Sequence, residues 1–170
     1  MKAFEAILTR RSVREFTSEP VGEEALEQIL RAGMQAPSAG NQQPWHFIVV
    51  RQRALLDEVA RVHPYAQMCR TATAAILVCG DATLEKFPGY WVQDCSAAAE
   101  NMLLAAHALG LGGVWVGVHP RAERIGVMRE LFRLPESVHP LCLLPLGRPT
   151  ATPAPVERFL PARVRYDRWE

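Results

Sequence analysis

The chain has 170 residues, of which 49% are apolar, and a formal net charge of +1. That length is expected to give one domain with a sizeable core, and the near-neutral balance excludes the broad basic footprint of a nucleic-acid binder. No apolar run reaches the roughly 18 uncharged residues of a membrane span, and Met1-Lys2-Ala3-Phe4-Glu5 lacks the pattern of a signal peptide.

Phe4, Ile7 and Leu8 form one face of a short first helix that ends near Arg10. Gly22 to Ala32 reads as a second helix, with Glu23 and Glu24 in its first turn and Leu26, Ile29 and Leu30 on one face. Two prolines and Gly40 keep residues 36–44 irregular. Trp45 to Val50 reads as a buried strand, Ala54 to Val62 as a third helix, and a short turn carries Gln67 and Arg70. Ala74 to Cys79 is a second strand, closed by Gly80-Asp81. Tyr90 to Leu109 is a helix apolar nearly all round, so it belongs in a core or an interface. Asp94 and Asn101 on it then need partners inside the protein. Val114 to Val118 reads as a third strand, Arg121 to Phe132 as a helix, and Leu141 to Leu146 as a fourth strand, where Pro145 suggests an edge or a strand end. The tail from Arg148 is kept extended by four prolines, yet Val156, Phe159, Leu160, Val164, Tyr166 and Trp169 need cover. A partner subunit is the nearest surface that could provide it.

Cys69, Cys79, Cys95 and Cys142 lie in apolar sequence without CxxC spacing, which predicts buried free thiols and a cytoplasmic setting. The five histidines show no HxxxH or HxH spacing, so a metal site is not expected. No paired carboxylates or Ser-His-Asp set supports acid–base or nucleophilic catalysis. Chemistry here has to come from a bound cofactor.

Two stretches stand out. Arg10-Arg11-Ser12-Val13-Arg14 places three fixed cations and a hydroxyl within five residues, which suits a phosphate dianion; read alone, it also suits a solvated helix end. Pro37-Ser38-Ala39-Gly40-Asn41-Gln42-Gln43-Pro44-Trp45 offers amides that donate and accept, beside small residues that let backbone approach a flat ring. Gln67 and Arg70, three apart on one turn, can face a single ligand. Gly112 to Val118 lacks the GxGxxG order of a dinucleotide turn. Gly117 permits close approach of a ligand, while Trp115 suits either a ring face or the core. Arg158 is the one strong cation in the apolar part of the tail.

In this order and spacing the two stretches resemble the FMN-dependent nitroreductase family. So do Trp91-Val92-Gln93-Asp94, the run from Asn101 to Ala106, Gly110-Leu111-Gly112 and the closing Tyr166-Asp167-Arg168-Trp169. The resemblance covers nearly the whole chain. It implies an α+β fold with a central mixed β-sheet flanked by helices, as an intertwined homodimer with two FMN sites at the interface. Residues 148–170 would be an extended arm on the partner. Carried over, Arg10, Arg11, Ser12 and Arg14 would hold the phosphate and one ring edge. Pro37, Ser38, Ala39, Asn41 and Gln43 would come from the other subunit. Gln67 and Arg70 match contacts to the pyrimidine side, and Trp115, Val116, Gly117 and Val118 match the strand near the ring. Arg158 matches half of a basic pair whose other member is missing in Val156-Glu157-Arg158, so Arg148 is the alternative donor. Thr73 stands where proline is common. Segment 81–90 is short, which implies an open pocket.

The activity implied is an NAD(P)H oxidoreductase. FMN would accept hydride at N5 from NADH or NADPH and pass electrons to a nitroaromatic, quinone or similar small acceptor with ping-pong kinetics. No side chain is required as acid or base, and Arg70 would favour the anionic reduced flavin. The rival readings are a non-catalytic flavin-binding or sensor protein, a relative with other flavin chemistry such as ene reduction or dehalogenation, and a purely structural dimer module.

Overall fold

The computed structural model describes residues 1–169. Its helices are α1 (Ala3–Thr9), α2 (Glu23–Met34), α3 (Arg53–Val62), α4 (Trp91–Ala108) and α5 (Ala122–Phe132). Its strands are β1 (Trp45–Val50), β2 (Ala74–Asp81), β3 (Gly112–Gly113), β4 (Val116–Gly117) and β5 (Val138–Gly147). The sheet order is β1-β2-β5-β3, and β4 also pairs with β5.

Alternation along β2 builds two cores. Ile76 and Val78 face one layer, with Leu26 and Ile29 of α2 and Met102 of α4. Leu77 and Cys79 face the other, with Leu56 and Val59 of α3 and Met128 of α5. All the strand ladders are antiparallel; the parallel contribution to the sheet is a single bridge between Ser12 and Gly113. α2 and α4 approach closely because Gly33 carries no side chain: a Cβ there would lie 2.8 Å from Met102 Cε. Asn101 finds its partner at the same junction, with Nδ2 donating to the Ala32 carbonyl at 3.1 Å.

Three strand expectations are corrected. β2 runs on through Gly80 and Asp81, which pair with His139 and Val138. The predicted strand over 114–118 is instead two short ones, β3 and β4, interrupted at Val114-Trp115. The fourth strand is central rather than at an edge, despite Pro145. Leu146 gives its carbonyl to Thr73 on the β2 side. By the alternation of an antiparallel ladder, the Pro145 nitrogen then faces away from β2, toward the interruption between β3 and β4. A missing N–H costs nothing where the neighbouring strand offers no acceptor.

Residues 12–17 run along the β3 side of the sheet. Val13 N donates to the Gly113 carbonyl at 3.0 Å, and Thr17 N donates to the Arg148 carbonyl at 2.9 Å. The segment rich in arginine is thereby fixed next to β3 and β4. Phe4, Ile7 and Leu8 of α1 are exposed, as is the arm over 151–169, where Tyr166 and Trp169 are each 84% exposed.

Candidate functional site

The N-terminal arginines line several hollows, two of which gather further candidate residues. The first, of about 470 Å³, is lined by Arg10, Arg11 and Arg158, with Glu100 and Glu157 nearby. Arg10 Nε lies 3.3 Å from Glu100 Oε1. Arg11 Nη1 is buried and has no hydrogen-bond partner. A buried charged donor left unmet costs on the order of 1–3 kcal/mol, so this one calls for an anion. Arg148 is held elsewhere, by Glu19 Oε2 at 2.6 Å. Of the two candidate tail donors, Arg158 is the one beside Arg10 and Arg11.

The second hollow, of about 280 Å³, brings Arg14 together with Met68, Trp115, Val116 and Gly117. A Cβ on Gly117 would find its nearest neighbour only at 3.9 Å, at Trp115 Nε1, so the backbone there is open to a flat ligand. Ser12 lies in a recess it shares with Arg14. Val118 is not part of the hollow: it is fully buried, and its N–H donates to the Leu141 carbonyl at 3.1 Å. Gln67 and Arg70 are exposed on the short turn Gln67–Arg70 that follows α3. Gln67 Nε2 donates to the Ala60 carbonyl at 2.7 Å, and Arg70 Nε donates to Gln67 Oε1 at 3.2 Å. The turn thus presents the Arg70 charge on an amide anchored to the helix.

Pro37, Ser38, Ala39, Asn41 and Gln43 line neither hollow within one chain. Their loop is instead clasped to the first turn of α4. Asp94, 4% exposed, accepts from Ala39 N at 3.0 Å and from Gln42 Nε2 at 2.7 Å. Gln42 Oε1 in turn accepts from Lys86 N at 2.9 Å and Phe87 N at 3.1 Å. Ser38 Oγ accepts from Gln43 N at 3.0 Å. The clasp holds a strained backbone: Gly40, Asn41 and Gln43 have φ of 53°, 52° and 47°. Asn41 and Gln43 are exposed, so the clasp presents both side chains outward.

Three residues of this region escape a reading by motif. Gln42 lies among other amides and differs from them only in being buried. Tyr65 and Arg124 line the second hollow, yet nothing in the sequence sets Arg124 apart from Arg121 at the N-cap of α5 or Arg129 further along it. Behind them His63 is almost fully buried, and burial pushes it below the usual histidine range, with the Arg124 charge adding to the effect. Burial likewise pushes the Cys69 and Cys79 thiols up to about 12. No group of three metal-ligating side chains occurs among the described residues, and no helix is long and apolar enough to cross a membrane.

The model of the nitroreductase family matches the chain over residues 7–66 and 57–148. A protein of Methanothermobacter thermautotrophicus, provisionally named NADH dehydrogenase/NAD(P)H nitroreductase, is 50% identical over 169 residues, covering 99% of this chain and 88% of its own. A crystal structure from Parabacteroides distasonis with the same provisional name superposes with a TM-score of 0.95 at 40% identity, covering 98% of each chain. A provisionally named nitroreductase of Desulfovibrio desulfuricans, solved in complex with FMN, superposes with a TM-score of 0.86 at 33% identity, covering 100% of this chain and 99% of that one. Fold and sequence agree, and the chain belongs to the nitroreductase family.

Proposed function

We propose that the chain is an FMN-dependent NAD(P)H oxidoreductase that acts as a homodimer on nitroaromatic, quinone-like or similar small acceptors. The observation that carries this reading is the buried, unpartnered Nη1 of Arg11, a residue that lines one hollow together with Arg10 and Arg158. A phosphate there would meet three cations and satisfy the orphaned donor. The open backbone at Gly117, beside Trp115, fits a flat heteroaromatic ring. The name of one relative joins NAD(P)H with nitroreductase, and that of a solved neighbour joins nitroreductase with bound FMN; both support the same assignment.

On this reading Arg10, Arg11, Ser12 and Arg158 hold the phosphate. Arg14, Gln67 and Arg70 meet one edge of the ring, and Trp115, Val116 and Gly117 lie beside it, with Val118 buried next in the chain. Pro37, Ser38, Ala39, Asn41 and Gln43 approach from the partner subunit, presented by the Asp94–Gln42 clasp. The exposed face of α1 and the exposed apolar arm supply the surface such a partner would cover. Bound FMN supplies two-electron redox chemistry between NAD(P)H and the acceptor. The side chains bind, orient and set the potential: Arg14 and Arg70 keep positive charge at the ring edge, where a reduced ring is stabilised. Donor and acceptor take turns in one slot, which gives ping-pong kinetics.

The test is the absorption spectrum of the purified, FMN-supplemented protein, followed by anaerobic addition of NADH or NADPH. A yellow protein that bleaches and then recovers its colour with a nitroaromatic or quinone is expected, with a solution mass of twice 19.0 kDa. A colourless protein that takes up no FMN would refute the reading. A yellow protein that does not bleach would be a flavin carrier.

A further inference from the structure

We propose that Arg124, braced by Tyr65, forms an anion-recognition subsite in the Trp115–Gly117 hollow, taking the carboxylate or phosphate of a redox substrate. The proposal rests on the oxidoreductase reading above and adds the chemical class of what that site accepts.

Arg124 is held ready for a ligand. Its Nη1 donates to the Gly117 carbonyl at 3.0 Å, and its guanidinium carbon stands 4.8 Å from the centre of the Tyr65 ring. Both supports are fixed from behind by one buried imidazole. Tyr65 N donates to His63 Nδ1 at 3.2 Å, and His63 Nε2 lies 3.2 Å from the same Gly117 carbonyl. With Nδ1 as acceptor, the proton sits on Nε2 and points at that carbonyl. A guanidinium so braced loses little freedom on binding.

Its charge is also unspent. Arg31, Arg51, Arg53 and Arg61 each pair with a carboxylate. Arg124 has no carboxylate partner among the described residues, and the Gly117 carbonyl takes only one of its donors. The hollow contains no acid, and its second cation, Arg14, is already assigned to the ring edge, which leaves Arg124 as its uncommitted charge. It shares no lining residue with the Arg10–Arg11–Arg158 hollow assigned to the cofactor phosphate, so its charge is left for another anion. Tyr65 and Trp115, 65% and 37% exposed, add aromatic surface to the same place. The chemistry on offer is a flat or ring-bearing molecule with a carboxylate or phosphate: an acidic aromatic acceptor, or the phosphate-bearing end of the donor. Charge-assisted bonds to such a group are about twice as strong as neutral ones.

The test uses the FMN-loaded protein and compares R124Q with R124K. Benzoate and benzyl alcohol are titrated by calorimetry. kcat/KM is measured for para-nitrobenzoate against para-nitrobenzyl alcohol, and for NADPH against NADH, so that any general loss cancels in each ratio. R124Q should lower benzoate affinity and one of the two charged-to-neutral ratios about tenfold, with R124K retaining most of both. A fall in the acceptor ratio assigns the anion to the acceptor, and a fall in the donor ratio assigns it to the NADPH phosphate. Two unchanged ratios with unchanged benzoate affinity would overturn the proposal. In the wild type, the affected ratio should also fall as salt is added; indifference to salt in both ratios counts equally against the subsite, and needs no variant. Failure of the cofactor reading is separate, since it would show as wild-type protein without bound FMN.

Discussion

Asp94→Ala tests the clasp that shapes the 37–45 loop. The carboxylate is 4% exposed and accepts from Ala39 N at 3.0 Å and Gln42 Nε2 at 2.7 Å. Removing it leaves two donors without an acceptor, at about 1–3 kcal/mol each. The loop also stores strain at Asn41 and Gln43, whose positive φ costs on the order of 1 kcal/mol apiece. A total loss of about 3 kcal/mol is expected, equivalent to a fall in Tm of roughly 6–12 °C for a chain of this size. Asp94→Asn keeps the shape and one acceptor, and should lose about half as much. The assay is urea unfolding followed by circular dichroism at one fixed protein concentration, because stability and subunit association are linked in a dimer. FMN affinity, read from quenching of flavin fluorescence, should fall about tenfold or more in D94A, since on the proposed reading the loop lies against the partner's cofactor. A D94A protein within about 0.5 kcal/mol of wild type, with normal FMN affinity, would refute the reasoning.

Arg11→Met should move stability and cofactor binding in opposite directions. Removing the unpartnered buried Nη1 should stabilise the cofactor-free protein by about 1 kcal/mol while weakening FMN at least tenfold, read by thermal unfolding and by fluorescence titration. Stability should be greatest somewhat above neutral pH, decline with acid and, because burial holds the four thiols above their ordinary value of 9.0, decline again in alkali. His63, His107 and His119 are all held below their ordinary value of 6.5, chiefly by burial. The unfolded chain therefore takes up protons first as pH falls through that value, and stability is lost from there down to the lower folded values. His63→Gln should shallow this slope between pH 7 and about 5. The four thiols, buried and with pKa raised, should resist DTNB at pH 8 in the folded protein and react fully in urea.

The elements were legible where one period dominated. Trp45–Val50 is found with the expected ends because it is a short β-branched run between Pro44 and polar Arg51, but it is not buried as expected: it is an edge strand, with His46 and Val49 exposed. α4 is found over Trp91–Ala108 because its apolar circumference has no other reading, and that same feature made Asp94 and Asn101 conspicuous. What escaped depended on tertiary context. Nothing local marks the break at Val114-Trp115, which lies opposite Leu144-Pro145 on the neighbouring strand. Pro145 points to an edge only when that break is not known. At the site, charge clustering exposed Arg10, Arg11 and Arg14, whereas Arg124 reaches the same region only through the approach of α5 to β4. Gln42 escaped because composition cannot tell a buried amide from an exposed one.

The interruption between β3 and β4 has a bearing on solubility. A boundary strand of several unbroken residues would offer a row of free main-chain donors and acceptors on which a stray extended polypeptide could polymerise. Here that margin is cut into two stubs of two residues each, partly capped by the bridge from Ser12. The irregularity that leaves Gly117 open to a small planar molecule also shortens the template for cross-β growth at this margin, the opposite margin being the unbroken β1. Restoring a continuous margin should therefore raise the tendency to form fibrils while closing the hollow.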